Sequence, residues 1–188
     1  MHRSRLALLG AALLPIVLVL GCASSETGTK PKDAASAPST KLDSTFLARA
    51  EKVCGGYAKY NSENYFQAAG FNRFAPDVAQ LPRVAAHIGP NPSYRTLHSD
   101  LDALGRPDSG GAAWNAVLHD VNTGEGLVMK EIVSARRRDG AAFVNYDGRV
   151  EQNIRTLLAD LQKLGLSAGS PCWSMQLDPL ASKQSGLH

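Results

Sequence analysis

The sequence predicts an all-α fold over residues 42–174, an up-down-up-down four-helix bundle whose second helix is broken. Apolar residues recur at alternating steps of three and four in four segments, which is the periodicity of an amphipathic helix. Glycine and proline separate these segments, and the period-two alternation that is typical of strands is absent. Segments of roughly 22–28 residues with short connections favour antiparallel neighbours in a bundle.

The first helix is expected to begin near Ser44, where Thr40 and Asp43 form a weak capping box, and to end near residue 70. Gly55-Gly56 interrupts it at a cost of about 1 kcal/mol per glycine. Alternatively, the two glycines let another backbone approach closely. The apolar stripe of this helix consists of Phe46, Ala50, Val53, Cys54, Tyr57 and Tyr60.

The second helix is expected in two parts. Pro76 starts the first part, which runs to Ile88, and Pro82 predicts either a kink or a later start. Gly89-Pro90 interrupts the helix, and Asn91-Pro92 restarts it as a cap and first turn. The second part stops at residues 105–107, and its stripe consists of Tyr94, Leu97, Leu101 and Leu104.

The third and fourth helices have the longest stripes. Ser109 is the expected N-cap of the third helix, and Gly124 and Gly126 weaken its centre. The fourth ends at Gly165, a left-handed cap with Leu166 as its apolar partner. The third stripe consists of Trp114, Val117, Leu118, Val121, Val128, Ile132 and Ala135. The fourth consists of Phe143, Tyr146, Val150, Ile154, Leu157, Leu158, Leu161 and Leu164.

The N-terminus has the pattern of an export signal. Arg3 and Arg5 precede an apolar run of 15 residues, Leu6–Leu20, which is shorter than the roughly 20 residues of a membrane-spanning helix. The run ends in Val-Leu-Gly-Cys22, which resembles the lipobox of bacterial lipoproteins. The resemblance implies cleavage of a signal peptide, residues 1–21, and a diacylglycerol thioether on Cys22. A plain secretory signal is the alternative.

A lipidated Cys22 places the mature protein on the outer face of the cell membrane without spanning it. Residues 22–41, rich in Ser, Thr, Ala and Pro, are predicted to be a flexible tether, and residues 175–188 a disordered tail. Removal of the leader leaves 18 Lys and Arg against 17 Asp and Glu. A chain so close to neutral gives no reason to expect a nucleic acid as its partner.

The two remaining cysteines, Cys54 and Cys172, are expected to form a disulfide, because an exported chain folds in an oxidising compartment. Two free thiols or a metal pair are the alternatives. No Cys-x-x-Cys and no histidine at ligand spacing accompanies either residue, so zinc binding, haem attachment and a redox motif are only weakly indicated.

Few residues of the sequence are candidates for a metal site or for catalysis. His98 and His119 would lie at one height in a hairpin centred near Asp108, so a metal site between helices is one hypothesis and solvated histidines are the other.

Neither a hydrolase nor a glycosidase is indicated by the motifs. Ser109 lacks the Gly-x-Ser-x-Gly context of a hydrolase. Glu125 and Glu131 are six residues apart on a helix and face different ways, so they do not indicate a glycosidase. A buried Glu125 would need a partner, for which Lys130 or an arginine is expected.

Aromatic residues crowd the end of the first helix and the loop after it. The default interpretation is core and loop packing, and the alternative is a groove for a small molecule or peptide near Tyr65–Phe74, with the broken second helix as its lid. The residues concerned are Tyr57, Tyr60, Tyr65, Phe66, Phe71 and Phe74.

The helical Cys54, the hairpin turn Leu101–Pro107 and the late Leu164-Gly-Leu166 followed by Cys172 resemble uncharacterised lipoproteins of high-GC bacteria. This resemblance carries no known function. We expect a membrane-anchored envelope lipoprotein that is a non-enzymatic binding or scaffolding module without a cofactor, its partner an envelope protein or a small molecule. A small-molecule or metal carrier, and an enzyme of unidentified type, are the alternatives. No pattern indicates an oligomeric state.

Overall fold

The computed structural model describes residues 41–63, 71–175 and Leu180, all within the compact unit formed by residues 37–188. These residues form only helices, turns and loops, which confirms the all-α class. None of the helices in these ranges is both long and apolar enough to cross a bilayer. The helices are α1 (Ser44–Glu63), α2 (Leu81–Ile88), α3 (Leu97–Asp102), α4 (Gly111–Arg136), α5 (Gly140–Lys163) and α6 (Pro171–Ser174), with a 3₁₀ turn at Pro92–Tyr94.

Helices α4 and α5 form a helical hairpin at the centre of the fold. Arg138 turns the chain between them with a φ of 57°, in the left-handed region that favours glycine. Asp139 then begins α5, because its carboxylate accepts a hydrogen bond from Ala142 N at 3.0 Å. The shared core of the hairpin includes the fully buried Trp114, Ile132, Phe143, Leu157 and Leu161.

The α2 helix begins at Leu81, five residues after the predicted Pro76. The predicted helix start at Pro76 is wrong, because the Asp77 carboxylate accepts a hydrogen bond from Ala79 N at 2.9 Å and holds this segment in a turn. Pro82 consequently lies in the first turn of α2, where its missing N–H removes no helical hydrogen bond. The later start that Pro82 predicted is thus what the structure shows.

The break after α2 lies where glycine and proline predict it. The Asn91 side chain accepts a hydrogen bond from Ser93 N at 2.9 Å, so Asn91 is the predicted cap. It caps a single 3₁₀ turn, however, and α-helix resumes only at Leu97. Both α2 and α3 pack on α4.

The helix caps agree with the sequence in part. Gly165 has a φ of 84°, and Leu166 N donates to Leu161 O at 3.1 Å, which is the predicted Schellman end of α5. Asp43 is itself the cap of α1, because its Oδ1 accepts from Phe46 N at 2.7 Å. Its predicted capping-box partner, Thr40, lies outside the described residues.

Ser109 is not the N-cap of α4, contrary to the prediction. Gly110 occupies that position with a φ of 74°, a conformation that a serine side chain disfavours. The Ser109 hydroxyl instead donates to the carbonyl oxygen of Lys41 at 2.8 Å and ties the start of the described chain to the turn before α4.

A disulfide between the buried residues Cys54 and Cys172 joins α1 to α6, in agreement with the predicted pairing, and their Cα atoms are 4.7 Å apart. The adjacent glycines are not required for it. A Cβ added to Gly55 would lie 3.8 Å from Pro171 Cβ, an ordinary contact, and one added to Gly56 would meet nothing within 4 Å. The prediction of an unusually close backbone approach is therefore wrong.

The chain beyond α6 remains attached to the core at two described positions. Met175 is completely buried and Leu180 is 7% exposed. The prediction of a disordered tail from residue 175 does not hold for these two residues, because both bury apolar side chains against the helical core.

Replacement of both Cys54 and Cys172 by serine is expected to lower the free energy of unfolding by about 3–5 kcal/mol. The disulfide closes a loop with a sequence separation of 118 residues, and a loop of that size restricts the unfolded chain strongly. Urea unfolding followed by circular dichroism measures the change. Reduction of the wild-type protein should reproduce it, and an unchanged midpoint in both experiments would contradict the stabilising role.

Candidate functional site

A groove of about 500 Å³ lies along the outer side of the α4–α5 hairpin. On α4 it is lined by Gly126, Lys130, Val133 and Arg137, which follow one another at steps of four, three and four and are all exposed. That spacing places them on one helical face. The groove therefore lies on the surface of α4 that the core does not cover.

Much of the groove lining is apolar. Met129 and Val133 contribute from α4, and Ala142 and Tyr146 contribute from α5. Val133, an apolar residue on the outer face of α4, is 38% exposed. A methionine beside it supplies a flexible, polarisable surface that adapts to irregular ligands.

The charges around the groove are mainly positive. The side chains of Lys130 and Arg137 are exposed, and no ion pair with either is found in the described part of the chain. Arg149 adds a third cation beside the wall, with its guanidinium carbon 5.8 Å from the centre of the Tyr146 ring. The one carboxylate of the lining, Asp139, already accepts the hydrogen bond that caps α5.

A second, shallower depression of about 330 Å³ continues the groove. It shares Gly126 and Met129 with the groove, and its other lining residues are Tyr94, Arg95, Asn122 and Glu125. A Cβ built on Gly126 meets nothing within 4 Å. A larger side chain at this position would therefore project into the junction between the two depressions.

Glu125 fastens α3 to α4. Its Oε1 accepts a hydrogen bond from His98 N at 2.8 Å, and Leu97 N also donates to this carboxylate. Glu125 is thus paired with first-turn N–H groups of α3, which have no partner within their own helix, and the predicted partner Lys130 lines the groove instead. Burial raises the pKa of Glu125, and the two amides partly oppose that rise.

Arg73 and Asp147 form an ion pair that the sequence analysis missed. Arg73 Nε lies 2.9 Å from Asp147 Oδ2, and a second guanidinium nitrogen lies 2.6 Å from Oδ1. The Asp147 side chain is 1% exposed and that of Arg73 is 16% exposed. Together with the edge-on contact between Phe71 and Phe143, the pair holds the segment before α2 on α5. The sequence feature that could have indicated this ion pair is Asp147 itself, an aspartate directly after the stripe residue Tyr146.

Two acidic residues meet at the other end of the hairpin. Burial raises the pKa of Asp120, and the neighbouring carboxylate of Asp160, which shares a hydrogen bond with it, raises it further. His119 and Lys163 oppose the rise. Lys163 Nζ lies 2.5 Å from Asp160 Oδ1.

The hypothesis of a metal site at His98 and His119 gains no support. His98 lies beside Glu125 and His119 beside Asp120, and each histidine acts on the pKa of its own neighbouring carboxylate. Within residues 41–63 and 71–175, no three His, Cys, Asp or Glu side chains gather where a metal ion would need them.

The aromatic region is only partly described, since residues 64–70 and the side chain of Tyr60 lie outside the description. Tyr57 links α1 to α3 through hydrogen bonds to Thr96 Oγ1 at 2.8 Å and Asp100 Oδ2 at 2.5 Å. Partial burial and Asp100 raise the pKa of Tyr57. Residues 65–70 of the predicted groove, and Cys22, the predicted lipidation site, lie outside the described residues. Of the groove's described residues, Phe71 packs edge-on against Phe143 and Phe74 is 67% exposed.

Comparisons of the chain with protein-family models, curated proteins and solved structures find no match.

Replacement of Asp120 by asparagine is expected to stabilise the protein increasingly as the pH rises from about 4 towards 7. Because the pKa of Asp120 is raised in the folded state, its contribution to stability is largest at low pH and falls as the pH rises through the folded pKa. Urea unfolding at a series of pH values measures the difference from wild type. The advantage should shrink in an Asp160→Asn background, and an advantage that does not vary with pH would contradict this assignment.

Proposed function

We propose that the chain is an exported envelope lipoprotein, anchored by a lipid on Cys22, whose helical domain is a non-enzymatic module that binds a small molecule in the α4–α5 groove. The N-terminal pattern of Arg3, Arg5, the apolar run and Cys22 supports the export and the anchor. The buried disulfide fits the oxidising environment outside the cytoplasm.

The groove is the observation that carries the binding function. Its volume of about 500 Å³ falls in the range of small-molecule sites, which are mostly apolar with a few polar groups that orient the ligand. That size favours the small-molecule carrier over a scaffold for another protein. The outward Val133, which the core leaves exposed, supplies apolar surface for such a ligand.

The absence of an activated nucleophile in the described lining favours binding over catalysis. Ser134 is the serine that lines the groove, and its hydroxyl donates to the carbonyl oxygen of Lys130 at 2.9 Å. A hydroxyl held by its own helix lacks the adjacent base that a nucleophilic serine needs.

The domain that presents the groove is proposed to be a variant of the up-down-up-down four-helix bundle. In this arrangement α1, the α2–α3 unit, α4 and α5 are its four rods. The hairpin of α4 and α5 and the packing of α2 and α3 on α4 support the order. The edge-on contact of Phe46 with Trp114, with ring centres 5.0 Å apart, brings α1 to the same core.

Replacement of Cys22 by alanine is expected to abolish lipid labelling of the chain and to release it from the membrane, because Cys22 carries the only thiol at the end of the apolar run. Growth with an alkyne analogue of palmitate, followed by fluorophore coupling and gel analysis, measures the labelling. Cys54→Ala should remain labelled. Full labelling of Cys22→Ala would refute the anchor.

Replacement of Gly126 by phenylalanine is expected to prevent ligand binding in the groove, because the larger side chain occupies the junction of the two depressions. The full-length protein is released from membranes in polymer-bounded particles without detergent, and native mass spectrometry then detects the bound small molecule. The wild type should carry an additional mass that Gly126→Phe lacks.

Gly148→Phe is the matched control. Gly148 is also an exposed helical glycine with nothing within 4 Å of an added Cβ, and it lies two residues from Tyr146, on the opposite side of α5. This variant should retain the ligand. Gly126→Ala and Gly148→Ala should each stabilise the fold by about 0.5–1 kcal/mol, which shows that both positions tolerate a side chain. A wild type without ligand, or a ligand that persists in Gly126→Phe, would refute the binding function.

A further inference from the structure

The groove is long compared with its width. Its lining on α4 runs from Gly126 to Arg137, which corresponds to about 16 Å at 1.5 Å per residue, whereas packed helices lie about 8–10 Å apart. The second depression extends the path beyond Gly126. An extended chain fits this shape better than a compact molecule does.

The apolar and charged residues are not mixed evenly along the groove. Arg137 and the capping Asp139 lie at the end next to the hairpin turn, with Lys130 two helical turns before Arg137. Towards the opposite end the lining consists of Gly126 and Met129, and the nearest carboxylate there, Glu125, is engaged by the first turn of α3. The cations of the α4 lining therefore lie between Lys130 and Arg137, whereas the stretch from Gly126 to Met129 carries no charge.

Ordinary helix electrostatics accounts for only part of this arrangement. Arg137 follows the last turn of α4, where a positive charge interacts favourably with the helix dipole. That effect does not extend to Lys130, which lies inside the helix, or to Val133, an apolar residue left 38% exposed between the two cations. The combination of an apolar floor with flanking cations is what an amphiphilic anion requires.

We infer that the groove binds a single-chain amphiphilic anion, with its carboxylate or phosphate held by Lys130 and Arg137 and its apolar chain directed along Met129 towards Gly126. This inference rests on the proposed binding function and names its ligand class. The two cations supply charge-assisted hydrogen bonds to the anionic group, and the apolar wall removes the chain from water.

Photocrosslinking of the full-length protein in its membrane tests the inference. The probe is a fatty acid with a diazirine in mid-chain, and mass spectrometry locates the crosslinked peptide after irradiation. A primary alcohol with the same chain and diazirine is the neutral control. A phosphatidylglycerol that carries the same diazirine on one acyl chain distinguishes a membrane lipid from a free single-chain anion.

The fatty acid probe is expected to label α4 between Gly126 and Val133, and the alcohol to label it much less. The double variant Lys130→Gln/Arg137→Gln should reduce labelling by about tenfold, since the anionic group loses both charged partners. The control Lys52→Gln/Arg83→Gln removes two exposed helical cations on α1 and α2 and should leave labelling unchanged.

Four results would overturn the inference, in three different ways. Equal labelling by the alcohol, or full labelling of the Lys130 and Arg137 variant, would leave a binding groove without anion selectivity. Labelling by phosphatidylglycerol alone would replace the single-chain ligand by a membrane lipid. Absence of labelling by every probe, while native mass spectrometry still shows a ligand that Gly126→Phe loses, would refute the ligand class and leave the binding function intact.

Discussion

The packing of α4 against α5 is the constraint on which the other features depend. Both helices bury one apolar face, and α4 is covered further by α2 and α3. This arrangement covers the inner surface of α4. The outer face of α4, with Lys130 and Val133, stays uncovered beside Tyr146 of α5. The groove is thus a consequence of how two long helices pair while the short helices lie on only part of their surface.

Two carboxylates, the buried Asp147 and the half-buried Glu125, position the short elements on this hairpin. Asp147 holds Arg73 and the segment before α2, and Glu125 accepts hydrogen bonds from the start of α3. Both α2 and α3 are short, with eight and six residues, and bury four and two apolar side chains. A buried acid that is satisfied in only one geometry gives directional specificity that apolar contact lacks. Glu125, which also lines the second, shallower depression, thereby holds α3 beside it.

The sequence predicted most of the fold and none of the groove. Apolar periodicity predicted the long helices. The glycine after the last stripe residue predicted the Gly165 cap, and the cysteine count of an exported chain predicted the Cys54–Cys172 pair. Ser109 failed as a cap because the adjacent Gly110 adopts positive φ more readily. The groove was missed because it combines the outward faces of two helices, whereas apolar periodicity marks only their inward stripes. Met129 and Val133, apolar residues off the stripe, were the signal that went unused.

The proposed lipid anchor and the groove together bear on how tight binding has to be. A lipid on Cys22 would hold the domain close to the membrane surface. Amphiphiles that leave or enter that membrane are concentrated in the same layer, so a site there meets a far higher local concentration than a site in bulk solution. An exposed groove along one face of a hairpin, which encloses its ligand only partly, suits such a setting because exchange with the membrane requires rapid release. A deeply enclosed cavity would bind more tightly and release more slowly, and the open side of the α4–α5 groove is consistent with a carrier that works close to its source.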